Sequence, residues 1–254
     1  MTRVVATYNI KGGVGKTSAA VNLAFFAARD GARTLLWDLD PQGASTYLLR
    51  VRPKVKGGGE RLVRGRSDAA KRIKGSDHER LDLLPADFSY RHMDLALHET
   101  KRPTRRLARV LATVADEYDY IFLDCPPSIS LVSESVFEAA DALLVPIVPA
   151  TLSSRTFEQL RDVVANGAGT VPHVLAFFSM VDRRRRMHRD VVEELSAQYP
   201  SLLLETAIPA ASDVEHMGRR RAAIAEFAPR SRAGLAYEAL WHEMCRRLEA
   251  DALR

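Results

Sequence analysis

The heptad KGGVGKT, Lys11 to Thr17, restricts what this chain can become more than any other stretch of it. Gly12, Gly13 and Gly15 permit a tight turn with no Cβ standing between backbone N–H groups and an approaching anion. Lys16 adds a mobile ammonium for terminal phosphates, and Thr17 adds a hydroxyl suited to Mg²⁺. Val14 and Ser18 complete the nucleotide-binding set, at the positively polarised start of a helix. Such a loop needs a strand before it and a helix after it. Arg3 to Tyr8 is a short valine-rich run fit for a buried parallel strand, and Ser18 to Arg29 carries Ala, Val, Leu and Phe at helical spacing. A glycine-rich turn with an incidental lysine is the alternative, and it leaves that order unexplained.

Two further apolar runs end in carboxylates. Thr34 to Trp37 leads into Asp38, Leu39, Asp40, Pro41, Gln42 and Gly43, and Tyr120 to Leu123 leads into Asp124, Cys125, Pro126 and Pro127. Ligands of an open α/β sheet bind beyond the carboxyl ends of its strands, so Asp38 and Asp40 are expected to face the phosphates. An aspartate capping a helix is the competing explanation for either segment. Strand-like and helix-like runs alternate throughout, which predicts a mostly parallel, twisted sheet with helices on both faces. At 254 residues, 46% hydrophobic and 27% charged, the chain is expected to form a single domain over residues 1–254. No apolar run approaches the roughly 20 residues that span a bilayer. The chain starts on a core strand with no room for a signal peptide, and a cytoplasmic protein is expected. Cys125 and Cys245 lack CxxC spacing and are expected in or near the core, with no metal beyond Mg²⁺.

One position departs from the common phosphate loop. The glycine usually found five residues before Gly15 is Ile10, and Lys11 follows it. The pattern KGGxGK[ST], with DxDPQG at residues 38–43 and the apolar strand ending at Asp124, resembles the deviant Walker A ATPases of the ParA/MinD family. The resemblance implies an α/β P-loop NTPase that uses ATP and Mg²⁺ and closes as a homodimer around two nucleotides. Lys11 would then reach the partner subunit's phosphates, whereas Lys16 and Thr17 act within their own subunit. A solvated lysine beside an anion site is the plainer account of Lys11. By the same resemblance Asp40 orients the attacking water, Asp38 supports the site, and Thr17, Asp40 and Asp124 lie around the metal. Leu81 to Ala86, Leu143 to Pro149, Ala207 to Pro209 and Gly234 to Leu248 match later family segments, and Met180 and Pro209 are expected to border adenine. Departures are Ile10 in place of glutamine, Trp37 before Asp38, and TLSSRTFEQL at residues 151–160.

Charge is unevenly placed. Residues 50–80 hold eleven Lys/Arg against four Asp/Glu, a net of +7, whereas the whole chain is +5. With Gly57, Gly58 and Gly59 inside it, this segment is expected to be a mobile loop with room for a short helix after it, either merely solvated or touching phosphate backbone without sequence preference. Arg183, Arg184, Arg185, Arg186 and Arg189, with Arg219, Arg220, Arg221, Arg230 and Arg232, add positive charge later. Few aromatics interleave them, which favours duplex backbone over stacked single strands. The family resemblance implies non-specific DNA binding by the ATP dimer, nucleoid association, slow turnover, and stimulation by a ParB-like or cargo-specific partner. A MinD-like membrane ATPase is one alternative, because Leu235, Leu240, Trp241, Met244 and Leu248 can form an apolar stripe. That stripe equally suits a core-packing helix, and packing is favoured over the membrane. A nucleotide-gated adaptor without hydrolysis is the other alternative. The cargo is not written in the chain.

Overall fold

A computed structural model describes residues 2–53, 58–165 and 171–252. The strands are β1 (Arg3–Thr7), β2 (Thr34–Asp38), β3 (Lys74–Gly75), β4 (Leu81–Leu84), β5 (Tyr120–Asp124), β6 (Ala142–Ile147) and β7 (His173–Phe178). They form one sheet in the order β3-β4-β2-β5-β1-β6-β7. Every pairing is parallel except that of β3 with β4. β2 and β6 are buried at every position, as strands under two helical layers must be. In-register pairing sets Thr7 and Asp38 each opposite Asp124, so the two carboxylates end neighbouring strands at one edge of the sheet.

The helices are α1 (Lys16–Arg29), α2 (Ala44–Leu48), α3 (Gly58–Val63), α4 (Met93–His98), α5 (Arg106–Ala112), α6 (Leu131–Ala139), α7 (Ser153–Ala165), α8 (Arg186–Gln198), α9 (Ser212–Arg220), α10 (Ile224–Phe227) and α11 (Arg232–Ala252). They divide between two cores. Leu62, Met93, Leu107, Val136, Phe157 and Leu195 bring α3 to α8 into one. Val21, Leu48, Met217, Ile224 and Leu240 bring α1, α2, α9, α10 and α11 into the other. The chain is thus a single α/β sheet with helices on both faces.

The apolar stripe of α11 is consumed by that second core. Leu240, Trp241, Met244 and Leu248 are buried, and Trp241 Nε1 donates to Asp30 Oδ2 at the end of α1. Leu235 does not belong to the stripe: it is 53% exposed and, two residues from both Ala233 and Tyr237, lies on the face opposite the row formed by Ala233, Tyr237, Leu240 and Met244. Among the described residues no helix is long and apolar enough to cross a membrane. Cys125 is buried, and Cys245 lies near the Tyr120 hydroxyl at 3.7 Å, with neither in a disulfide.

The segment expected over residues 50–80 as a loop with a short helix after it carries α3, a 3₁₀ turn at Ala70–Arg72 and β3. A Cβ on Gly59 would stand 2.3 Å from the Tyr90 ring, so this glycine permits close packing of α3 rather than a loop. Leu62 and Val63 are buried in the first core, and these two apolar residues within the basic stretch are what anchor it. Lys54, Lys56 and Gly57 of that segment lie outside the described residues.

Candidate nucleotide-binding site

The glycine loop joins β1 to α1 at the carboxyl edge of the sheet. Gly13 and Gly15 adopt φ of 70° and 99°, a region that side chains rarely enter, and Gly15 caps α1 with no side-chain bond. The first amides of α1 therefore remain available to an anion. Gly15 is required for a second reason: a Cβ there would meet Ser179 Oγ at 2.8 Å. The start of the loop is tied by Asn9, whose Nδ2 donates to the Pro146 carbonyl and whose Oδ1 accepts the Lys11 amide.

The two lysines differ in disposition. Lys16 is buried, its Nζ donates to the Lys11 carbonyl at 3.0 Å, and burial lowers its pKa against the opposing pull of Asp124 and Asp40. Lys11 is exposed and has no ion pair among the described residues.

Asp124 is fully buried. Its Oδ2 accepts the Ser45 hydroxyl at 2.7 Å and Thr17 also bonds to the carboxylate, while Oδ1 is buried with no partner. An orphaned, buried carboxylate oxygen beside a hydroxyl and an ammonium fits a site for a hard cation. Asp38 Oδ2 accepts the Thr46 amide at 2.8 Å and hydroxyl at 2.7 Å, and its Oδ1 accepts the Asp40 amide. Both oxygens thus hold the segment between β2 and α2. Burial, and the repulsion of these neighbouring carboxyls, raise the pKa of both Asp38 and Asp124. Asp40 is half-buried and accepts the Gln42 amide at 2.9 Å, in a tight turn closed by Gly43.

Sequence inspection missed Asn9, Ser45, Thr46 and Ser179. Ser45 and Thr46 open a short helix and read as ordinary capping residues, although they bind the two buried carboxylates. Thr46 Oγ1 also accepts the Ala86 amide, which links the end of β4 to Asp38. Asn9 carried one signal, a polar residue directly after an apolar strand.

Beyond β7 a cavity of about 340 Å³ is lined by Val181, Pro209, Ala207, Leu235 and Ala236, with Arg183 and Arg232. Pro209 lines this cavity; Val181 is bridged to it, and Met180, the other residue expected to border adenine, is held at φ 56° just before Val181 and is not among the lining residues. The Tyr237 hydroxyl of α11 reaches Ser18 at the head of α1.

The expected arginine group separates by partner. Arg184 forms a two-pronged pair with Asp182, Arg186 lies 3.6 Å from Asp190, and Arg189 donates to the Arg183 carbonyl. Arg219 and Arg220 are exposed at the end of α9. Arg221 turns back, stacking on Tyr47 and donating to its carbonyl.

A family model described as an AAA domain matches residues 2–171. The sporulation initiation inhibitor protein Soj of Bacillus subtilis is 31% identical, over 93% of this chain and 96% of Soj. The chromosome partitioning protein ParA of Caulobacter vibrioides is 30% identical, over 82% of this chain and 80% of its own. The crystal structure of cobyrinic acid a,c-diamide synthase from Mycobacterium smegmatis, with bound ADP and magnesium, superposes with a TM-score of 0.83 and 26% identity, covering 99% of this chain and 97% of that one. The loop with its exposed leading lysine, the buried carboxylates behind it and these similarities have one common account: the chain belongs to the ParA/MinD family of P-loop ATPases.

Proposed function

We propose that this protein is a ParA-like ATPase whose ATP-bound homodimer binds duplex DNA without sequence preference and partitions or positions DNA or another large cargo. The observation that carries the reading is the contrast between Lys16, buried inside its own loop, and Lys11, exposed at the loop's front with no ion pair among the described residues. Lys16 is placed to bind phosphate within the subunit. Lys11 is free to reach across to a second one. The printed names of Soj and ParA support a partitioning role, and the ADP and magnesium of the diamide synthase structure support the cofactors.

In this reading Gly12, Gly13, Val14, Gly15 and Ser18 wrap the phosphates, and Thr17 and Asp124 hold Mg²⁺, which would neutralise charge on the β- and γ-phosphates. Asp40 positions water for attack. Val181 and Pro209 flank the base. Because the γ-phosphate belongs to the interface, the dimer persists only while it is present, and ATP state becomes DNA affinity. Turnover is slow until a ParB-like or cargo-specific partner stimulates it. Burial of the α11 stripe leaves that helix without the free apolar face that a membrane-surface ATPase needs.

The test is analytical ultracentrifugation with ATP, ADP and no nucleotide, alongside phosphate release with and without Mg²⁺. ATP is expected to produce the dimer, and Lys11→Ala to abolish it while ATP still binds the monomer. An ATP dimer undiminished in Lys11→Ala would refute the contact across subunits. Absence of DNA binding by the ATP-loaded protein at low salt would refute the partitioning role.

A further inference from the structure

The basic stretch at residues 58–72, which the nucleotide chemistry leaves unused, folds against α5 and borders a cavity of about 420 Å³. Small-molecule sites occupy roughly 300–1,000 Å³. The walls divide by chemistry. Leu62 and Val110 are buried and apolar, whereas Arg66, Arg106 and Arg109 bring three guanidiniums to the same space. Nearby arginines are paired: Arg64 with Glu60 and Glu99, and Arg105 with Glu138. No carboxylate pairs with the three cavity arginines among the described residues. Asp68, the one acid in the wall, is already engaged, accepting the Ala70 amide and facing Lys71 at 3.8 Å.

Three donors in this region are left without acceptors. Arg106 Nε is buried with no partner, and so are Nε of Arg64 and Nη1 of Arg72, whose Nε holds the Ser67 hydroxyl in the cavity wall. Buried, unpartnered guanidinium nitrogens are a cost that a native fold seldom carries without use. Three positive charges against one committed acid favour a dianion, and the planar guanidinium fork matches phosphate oxygens two at a time.

We propose that this cavity binds a small phosphate monoester with an apolar or aromatic body, its phosphate on Arg106 and Arg109 and its body on Leu62 and Val110. The site shares no residue with the loop at 11–17, with Asp40 or with Asp124. It therefore gives the basic 58–72 stretch a ligand of its own, separate from nucleotide and from DNA.

Calorimetric titration of the full chain with phenyl phosphate, in saturating ADP and Mg²⁺, tests this. One molecule is expected to bind per chain, and phenol not at all. Arg109→Gln and Arg66→Gln, both exposed substitutions, should each weaken phenyl phosphate by about tenfold or more. Lys16→Ala should leave that affinity unchanged in the absence of ADP, which keeps failure of this site distinguishable from failure of the nucleotide assignment. No binding at millimolar phenyl phosphate would overturn the proposal, as would binding that both arginine variants retain. Displacement by random duplex DNA would equally overturn it, assigning these arginines to backbone phosphate.

Discussion

Asp38 and Asp124 are two carboxyls on neighbouring strand ends, and burial lifts both above their ordinary values, helped by repulsion from Asp124 at Asp38 and from Asp40 at Asp124. Unfolded aspartates titrate near pH 4 (about 3.9). The folded, metal-free pair thus keeps protons that the unfolded chain releases between about pH 4 and neutrality. Native stability consequently falls as pH rises through that window. A cation held beside the orphaned Asp124 Oδ1, as proposed, would replace the proton and remove the loss. The rise in melting temperature that Mg²⁺ adds to ADP-bound protein should therefore be larger at about pH 8 than at about pH 5.5. Equal increments, by scanning calorimetry against EDTA controls, would take the metal away from Asp124. Thr46 poses a related question of satisfaction. Thr46→Val removes a donor to Asp38 and the acceptor of the buried Ala86 amide. A loss on the order of 2 kcal/mol is expected in urea denaturation. A neutral result would mean that water replaces the hydroxyl.

Elements were legible in the sequence where one local rule decided them. The strand, loop and α1 followed from glycine spacing and apolar runs, and Asp124 from its position after YIFL. Residues 58–80 were legible as a basic stretch with a short helix in it but not in their packing, because the reason for Gly59 is Tyr90, thirty-one residues away and visible only in three dimensions. The supporting role of Asp38 was implied by the resemblance, but its partner Thr46, in the next helix, was not legible. For α11 core packing was the favoured reading over the membrane, and Leu240, Trp241, Met244 and Leu248 are buried. Leu240→Ala and Met244→Ala should each cost about 2–5 kcal/mol by opening a cavity against α1. Leu235→Ala, at a half-exposed position, should change stability by less than about 0.5 kcal/mol. If urea midpoints ranked Leu235 with the other two, the stripe would have been assigned to the wrong face.

At the scale of the whole molecule, the proposed function makes charge the link between nucleotide state and cargo affinity. Residues 50–80 carry +7 and the remainder of the chain −2, so on that proposal attraction to DNA would rest on local groups rather than on the overall field. Arg219 and Arg220 are exposed, whereas Arg184 is already neutralised by Asp182 through two bonds. Each phosphate contact steepens the decline of log K with log salt by about 0.9. If Arg219 and Arg220 contact DNA as proposed, replacing both with alanine removes two contacts per subunit, and four per proposed dimer, so the ATP-state slope should flatten by roughly 3.6. Arg184→Ala should leave it nearly unchanged. The ADP-bound monomer, offering half the contacts, should show about half the wild-type slope as well as weaker binding. Anisotropy of a labelled random duplex across a salt series reads both quantities at once. A slope that nucleotide leaves constant while affinity changes would mean that ATP reorients a single subunit rather than joining two, and the exposed Lys11 would lose its assigned partner.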